Sequence, residues 1–117
     1  MRAYLIDELS RRDISGIADF LNRNAMRSAL EGVFWGRVPE DILSEQQYAH
    51  RKCRPHVFAI ELGEDWIKLE FFLRSLEDMR CPCAGYATRQ QRDFIIEFAH
   101  AMLTDSQKPA HPPLGTL

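Results

Sequence analysis

Between Val57 and Ser75, two runs of alternating apolar and polar residues flank a short polar turn. This alternation constrains the fold more than any other feature of the chain. Phe58, Ile60 and Leu62 share one face of the first run, and Ile67, Leu69, Phe71 and Leu73 share one face of the second. Successive side chains of a strand point to opposite faces, and directly opposed residues of an antiparallel pair share a face. Both apolar rows reach one core only if Leu62 stands opposite Ile67, which demands an even loop centred on Glu64-Asp65. An odd loop would pair Leu62 with Trp66 and turn one row into water. The same register sets Glu61 against Lys68, a cross-strand pair worth roughly 0.2–1 kcal/mol. The hairpin strands are therefore expected over Val57–Leu62 and Trp66–Ser75.

The rest of the chain supplies what such a hairpin packs on. A first strand is expected from Ala3 to Glu8. Ser10 or Asp13 can cap the helix that follows. Ile14, Ile17, Ala18, Leu21 and Ala25 form its apolar stripe, and it should end between Asn22 and Ser28. Leu30 to Val38 reads as a second strand, stopped by Pro39 because proline lacks a ladder donor. A short turn is expected at 39–43. Ser44-x-x-Gln47 is a capping-box pattern that opens a helix over about 44–53, carrying His50 and Cys53 and ended by Pro55. After a loop at Cys81–Tyr86, Thr88-x-x-Gln91 caps a last helix to Leu103, with Phe94, Ile95, Phe98, Ala99 and Met102 on its buried side.

The order β-α-β-(α)-β-β-α predicts an α+β fold, a four-stranded, mostly antiparallel sheet with two long helices on one face. At 117 residues and 45% hydrophobic content, residues 1–104 suffice for one domain with one core. Residues 105–117 are proline-rich and nonperiodic, and are expected to form an extended or flexible tail.

Three cysteines and two histidines are the main chemical signal. They read His50-x-x-Cys53-x-x-His56, then the hairpin, then Cys81-Pro82-Cys83. Thiolate and imidazole are the usual ligands of zinc and similar metals. The two outer ends of a hairpin lie on one side of a sheet, so the topology brings Cys53 and His56 towards Cys81 and Cys83. These four are the candidate zinc ligands, with His50 as a spare or supporting partner. The spacing matches neither a C-x₂-C knuckle nor an H-x₃₋₅-H pair. Two other accounts stand beside it: a thiol redox pair at Cys81 and Cys83 amid cationic neighbours, and free thiols serving as small buried apolar groups.

Composition narrows the partners. A net charge of −2 argues against nucleic acid, whose binders usually carry a basic footprint. No apolar run approaches the length that crosses a bilayer. The N-terminus turns acidic within a few residues, and an odd cysteine count without a secretory leader points to reduced thiols and the cytoplasm. Trp66 and Phe72 fall among charges on the outer hairpin face, which makes that face a candidate for homodimer or partner contact. Glu61 and Glu70 on the same face read as a surface ion-pair ladder rather than an acid–base pair. There is no P-loop, no G-x-G-x-x-G, no G-x-S-x-G and no H-E-x-x-H, so none of these motifs gives a reason to propose catalysis, and an enzymatic or redox role would rest on Cys81 or Cys83.

Overall fold

The computed structural model describes residues 2–108. Strand β1 (Ala3–Ile6) leads into helix α1 (Arg11–Asn24). Ser10 caps α1 in a full capping box with Asp13, the two N–H···O contacts measuring 3.0 and 3.1 Å. Two strands follow, β2 (Met26–Arg27) and β3 (Val33–Arg37), and then a 3₁₀ turn at Glu40–Ile42. Helix α2 (Glu45–Ala49) is capped by Ser44 and is followed by a second 3₁₀ turn at Arg51–Cys53. Strands β4 (His56–Leu62), β5 (Ile67–Glu70), β6 (Phe72–Ser75) and β7 (Gly85–Tyr86) precede helix α3 (Arg89–Ser106).

The strands form one antiparallel arrangement in the order β1-β5-β4-β3-β2, with β6 also pairing β4 and β7 flanking β6. Leu62 pairs with Ile67 and Glu61 with Lys68, the register that the alternating rows require. The Gly63 N–H donates to the Trp66 carbonyl at 2.8 Å, leaving Glu64-Asp65 as the two-residue turn. Glu61 and Lys68 close an ion pair at 3.2 Å.

The sheet has seven strands rather than four. The expected second hairpin strand is broken. Ile60 pairs with Leu69 but Val57 pairs with Arg74, so Phe58 and Ala59 face the four residues 70–73. This double bulge frees the Phe71 backbone for other partners. Its N–H donates to the Arg2 carbonyl at 2.9 Å, and its carbonyl accepts from Ala87 at 3.0 Å. Two extra residues are an even number, so the apolar row stays on one face through the break. The expected strand at Leu30–Val38 shortens to β3, and β2 occupies the stretch read as the end of the first helix. β7 forms where a plain loop was expected.

Helices α1 and α3 pack against each other and cover one face of the sheet. Ile17, Leu21, Ile95, Ala99 and Met102 meet Phe58, Ile60, Ile67, Leu69, Phe71 and Leu73 there, all essentially excluded from water. Burying each large apolar side chain contributes about 1.5–3 kcal/mol. Phe58 stands edge-on to Phe94 and Phe98, at centroid distances of 6.4 and 5.5 Å. α3 runs to Ser106, beyond the expected end at Leu103, and Ser106 is buried against Gly16 of α1. Residues 109–117 of the expected tail lie outside the described residues.

Candidate metal centre

The site is built at the end of the sheet where β4 begins and β6 ends. Helix α2 is only five residues long, not the ten or so expected. Its chain breaks at His50, whose backbone (φ −85°, ψ 66°) is not helical, and tightens into the 3₁₀ turn that buries Cys53. His50 and Cys53 therefore come from one irregular turn. Cys81 and Cys83 come from the loop that follows β6. That loop folds on itself through Cys81 N–H to Asp78 O and Ala84 N–H to Cys81 O, both 3.1 Å.

His50, Cys53, Cys81 and Cys83 each offer one ligand atom, and all four atoms lie within 4.8 Å of one another. His50 Nδ1 is 3.2 Å from Cys81 Sγ and 4.0 Å from Cys53 Sγ. A tetrahedron with metal bonds near 2.0–2.3 Å has edges of about 3.3–3.8 Å, so this set is close to coordinating dimensions. A metal ion could bind here, and the donor set of three sulfurs and one imidazole suits zinc. His56 stands beside the four rather than among them. Its Nε2 lies 3.3 Å from Cys83 Sγ, and its ring is almost wholly buried at the start of β4.

The thiols do not share their protons evenly. The Cys83 backbone N–H and thiol draw the Cys81 thiol down to about 7. Burial, then the Cys81 and Cys53 thiols, pushes Cys83 up to about 12. The Cys81 thiol and burial raise Cys53. Without a cation the cluster thus favours a single thiolate near neutral pH. Three thiolates at this spacing require a positive charge among them, which a divalent ion supplies. Burial, helped by Arg54 and His50, lowers His56 and keeps its ring neutral. A neutral ring with its proton on Nε2 is a donor suited to the Cys83 sulfur.

Hydrogen bonds from outside the cluster hold the loop in place. Gln47 Nε2 donates to the Cys83 carbonyl at 3.3 Å, and Gln46 Nε2 to the Pro82 carbonyl at 3.2 Å. The Gln47 Oε1 accepts from Gln91 Nε2 at 2.9 Å, and Gln91 Nε2 also reaches the Ile42 carbonyl at 3.0 Å. Both glutamines serve the capping boxes of α2 and α3 as well. Their N3 positions were legible in the sequence as caps; their mutual contact, 44 residues apart, was not. Ser75 Oγ donates to the Cys53 carbonyl at 2.6 Å and accepts from the Glu77 and Asp78 N–H groups. No local sequence pattern marks this serine.

The remaining candidates fall elsewhere. Glu70 pairs with Arg74 at 3.0 Å, as Glu61 does with Lys68, so the two carboxylates are held apart by cations. His100 of α3 meets the Tyr4 hydroxyl of β1 at 2.9 Å. His111 lies outside the described residues. Trp66 folds over Gly63 at the hairpin turn, while Phe72 packs edge-on to Tyr86 at the opposite end of the strand pair. No helix among the described residues is long and apolar enough to cross a membrane. No protein-family model matches the chain, and neither a curated protein nor a solved structure matches it.

Proposed function

We propose that this chain is a small zinc-binding domain whose metal is structural, held by His50, Cys53, Cys81 and Cys83. The observation that carries the reading is the convergence of four soft or borderline ligand atoms within 4.8 Å, from two segments about 30 residues apart that flank the β4–β6 pairing. Four protein ligands close a tetrahedron and leave no position for water or substrate, the mark of structural rather than catalytic zinc. The ion would tie the 3₁₀ turn after α2 to the loop after β6. His56 would support Cys83 from outside the ligand set, as hydrogen-bonding partners of metal ligands commonly do. Three reduced thiols fit a reducing compartment such as the cytoplasm.

The test is elemental analysis of protein purified without a histidine tag under reducing, zinc-replete conditions. One equivalent of zinc, lost on Cys53→Ser or Cys83→Ser, is the expected result. Less than half an equivalent ends the proposal. One observation favours a second reading, a thiol redox site: the Cys81 thiol, drawn down to about 7, sits within 4.8 Å of two further sulfurs. A stable disulfide linking Cys81 to another cysteine in metal-free protein under air, reversible by dithiol, would support it over the metal.

A further inference from the structure

Both long helices lie on one face of the sheet, and the other face carries a continuous ladder of arginine and aromatic side chains. The Arg74 guanidinium lies 5.9 Å from the Trp35 ring and 4.9 Å from the Phe72 ring. Phe72 meets Tyr86 edge-on at 5.3 Å, and Arg2 covers Tyr86 at 4.9 Å. The strand register places Trp35, Phe72, Arg74 and Tyr86 on the uncovered side, because Trp35 pairs with Ala59, Arg74 with Val57 and Phe72 with Tyr86, and the Arg2 guanidinium reaches that side through its contact with Tyr86. Tyr86 is 59% exposed, and Arg2 and Arg37 are exposed.

Around the ladder, charge runs opposite to the net −2 of the whole chain. Arg37, Lys68 and Arg74 stand on this face against Glu61 and Glu70, Arg2 joins them at Tyr86, and Asp7, Glu8 and Asp65 gather apart from the ladder, beside Lys68 and Trp66 at the hairpin turn. Lys68 and Arg74 are already paired with the two glutamates. Among the described residues no carboxylate pairs with Arg2 or Arg37. Flat π-faces and guanidinium planes beside cations without a carboxylate partner match one ligand chemistry well. Unpaired bases stack on aromatic rings and guanidinium planes, and the phosphates between them meet the cations.

We propose that the open sheet face binds single-stranded nucleic acid, with bases stacking along Trp35, Phe72 and Tyr86 and phosphates meeting Arg2 and Arg37. The average acidity of the chain hides this local excess of cations. The reading is independent of the metal centre, which lies at the end of the sheet and contributes none of these residues.

The test is fluorescence anisotropy of the full chain against a labelled single-stranded 15-mer of uridine, its thymidine counterpart and a duplex of the same length. Both single strands should bind more tightly than the duplex. Removing one base-stacking ring costs about 5- to 150-fold in affinity, and Tyr86→Ala, at an exposed position, should fall in that range. Arg37→Glu should weaken binding of both strands alike. Two phosphate contacts predict that log affinity falls with log salt at a slope of about −1.4. Absence of binding at low salt, or binding that both variants leave unchanged, overturns the proposal. So does light scattering that shows a dimer dissociated by Tyr86→Ala, because the face then serves a second copy of the chain.

Discussion

His56 Nε2 lies 3.3 Å from Cys83 Sγ, while its Nδ1 is buried without a hydrogen-bond partner. The ring has room for one proton and no use for a second. Burial depresses its affinity for that second proton, and the positive charge of Arg54 and any charge on His50 act the same way.

A pH dependence follows with a definite sign. The folded pKa of His56 lies below the ordinary 6.5. Below 6.5 the unfolded chain takes up a proton that the folded chain refuses, so unfolding gains as pH falls. The contribution of His56 is present above pH 6.5 and is lost towards its folded pKa. In metal-free protein, His56→Gln keeps an amide donor for Cys83 but cannot titrate. Urea unfolding at pH 6.5 and pH 5 should show a smaller loss of stability in H56Q than in wild type. Equal losses would mean that the ring is not held neutral.

Thiol reactivity should follow the order of the proton affinities. Cys81 is partly exposed and drawn down to about 7, whereas Cys83 is buried and pushed up to about 12. In chelator-treated native protein at pH 7.5, iodoacetamide should modify Cys81 first and Cys83 last, as read by peptide mass. One equivalent of zinc should protect all three. Alkylation of Cys83 ahead of Cys81 would contradict the proton distribution within the cluster.

Gln91 joins the ends of two helices to the loop that carries the cysteines, through Gln47 and the Ile42 carbonyl. It is fully buried. Gln91→Ala strands the Ile42 carbonyl, leaves the Gln47 oxygen with the Ser44 N–H alone, and removes part of the α3 cap. A buried polar group left unpaired costs about 1–3 kcal/mol, and a lost cap interaction a comparable amount. Unfolding should therefore shift down by a few kcal/mol. Zinc affinity should fall as well, because Gln47 then loses the partner that holds it against the Cys83 carbonyl. Thermal unfolding with competitive zinc titration separates the two effects.

Much of the fold was legible because periodicity carries it. The alternation of Phe58, Ile60 and Leu62 against Ile67, Leu69, Phe71 and Leu73 settles the hairpin register. The three capping boxes at Ser10, Ser44 and Thr88 start their helices where the side chains can satisfy free N–H groups. What stayed hidden is what long-range pairing decides. β2 and β7 are two residues each and exist only through their partners. The double bulge is silent in the sequence because an even insertion leaves the alternation intact. The cysteine and histidine candidates were visible as a set, but which four side chains converge was not. The end of α2 at Ala49 brings His50 into the cluster, and nothing short of Pro55 marks that end. The arginine–aromatic ladder escaped notice because its members come from the chain's N-terminus and from β3, β6 and β7, and whole-chain charge averages them away.

The packing of the sheet centre yields the sharpest mutational test. Gly36 pairs with Phe58 across β3 and β4, and the Phe58 ring lies directly over it. A Cβ at position 36 would come within 2.3 to 2.8 Å of three ring carbons. The ring cannot simply swing away, because it is fully buried and set edge-on against Phe94 and Phe98. Gly36→Ala should therefore destabilise by about 1–3 kcal/mol, the usual cost of overfilling a packed core, even though alanine suits a strand backbone better than glycine does. The cause can be isolated with a double-mutant cycle. In a Phe58→Leu background the clashing ring is gone, so Gly36→Ala should cost much less, giving a coupling of about 0.5–3 kcal/mol between the two sites. Urea midpoints of the four proteins measure it. A Gly36→Ala cost that is the same in both backgrounds would show that the strain lies in the β3 backbone and not against the ring.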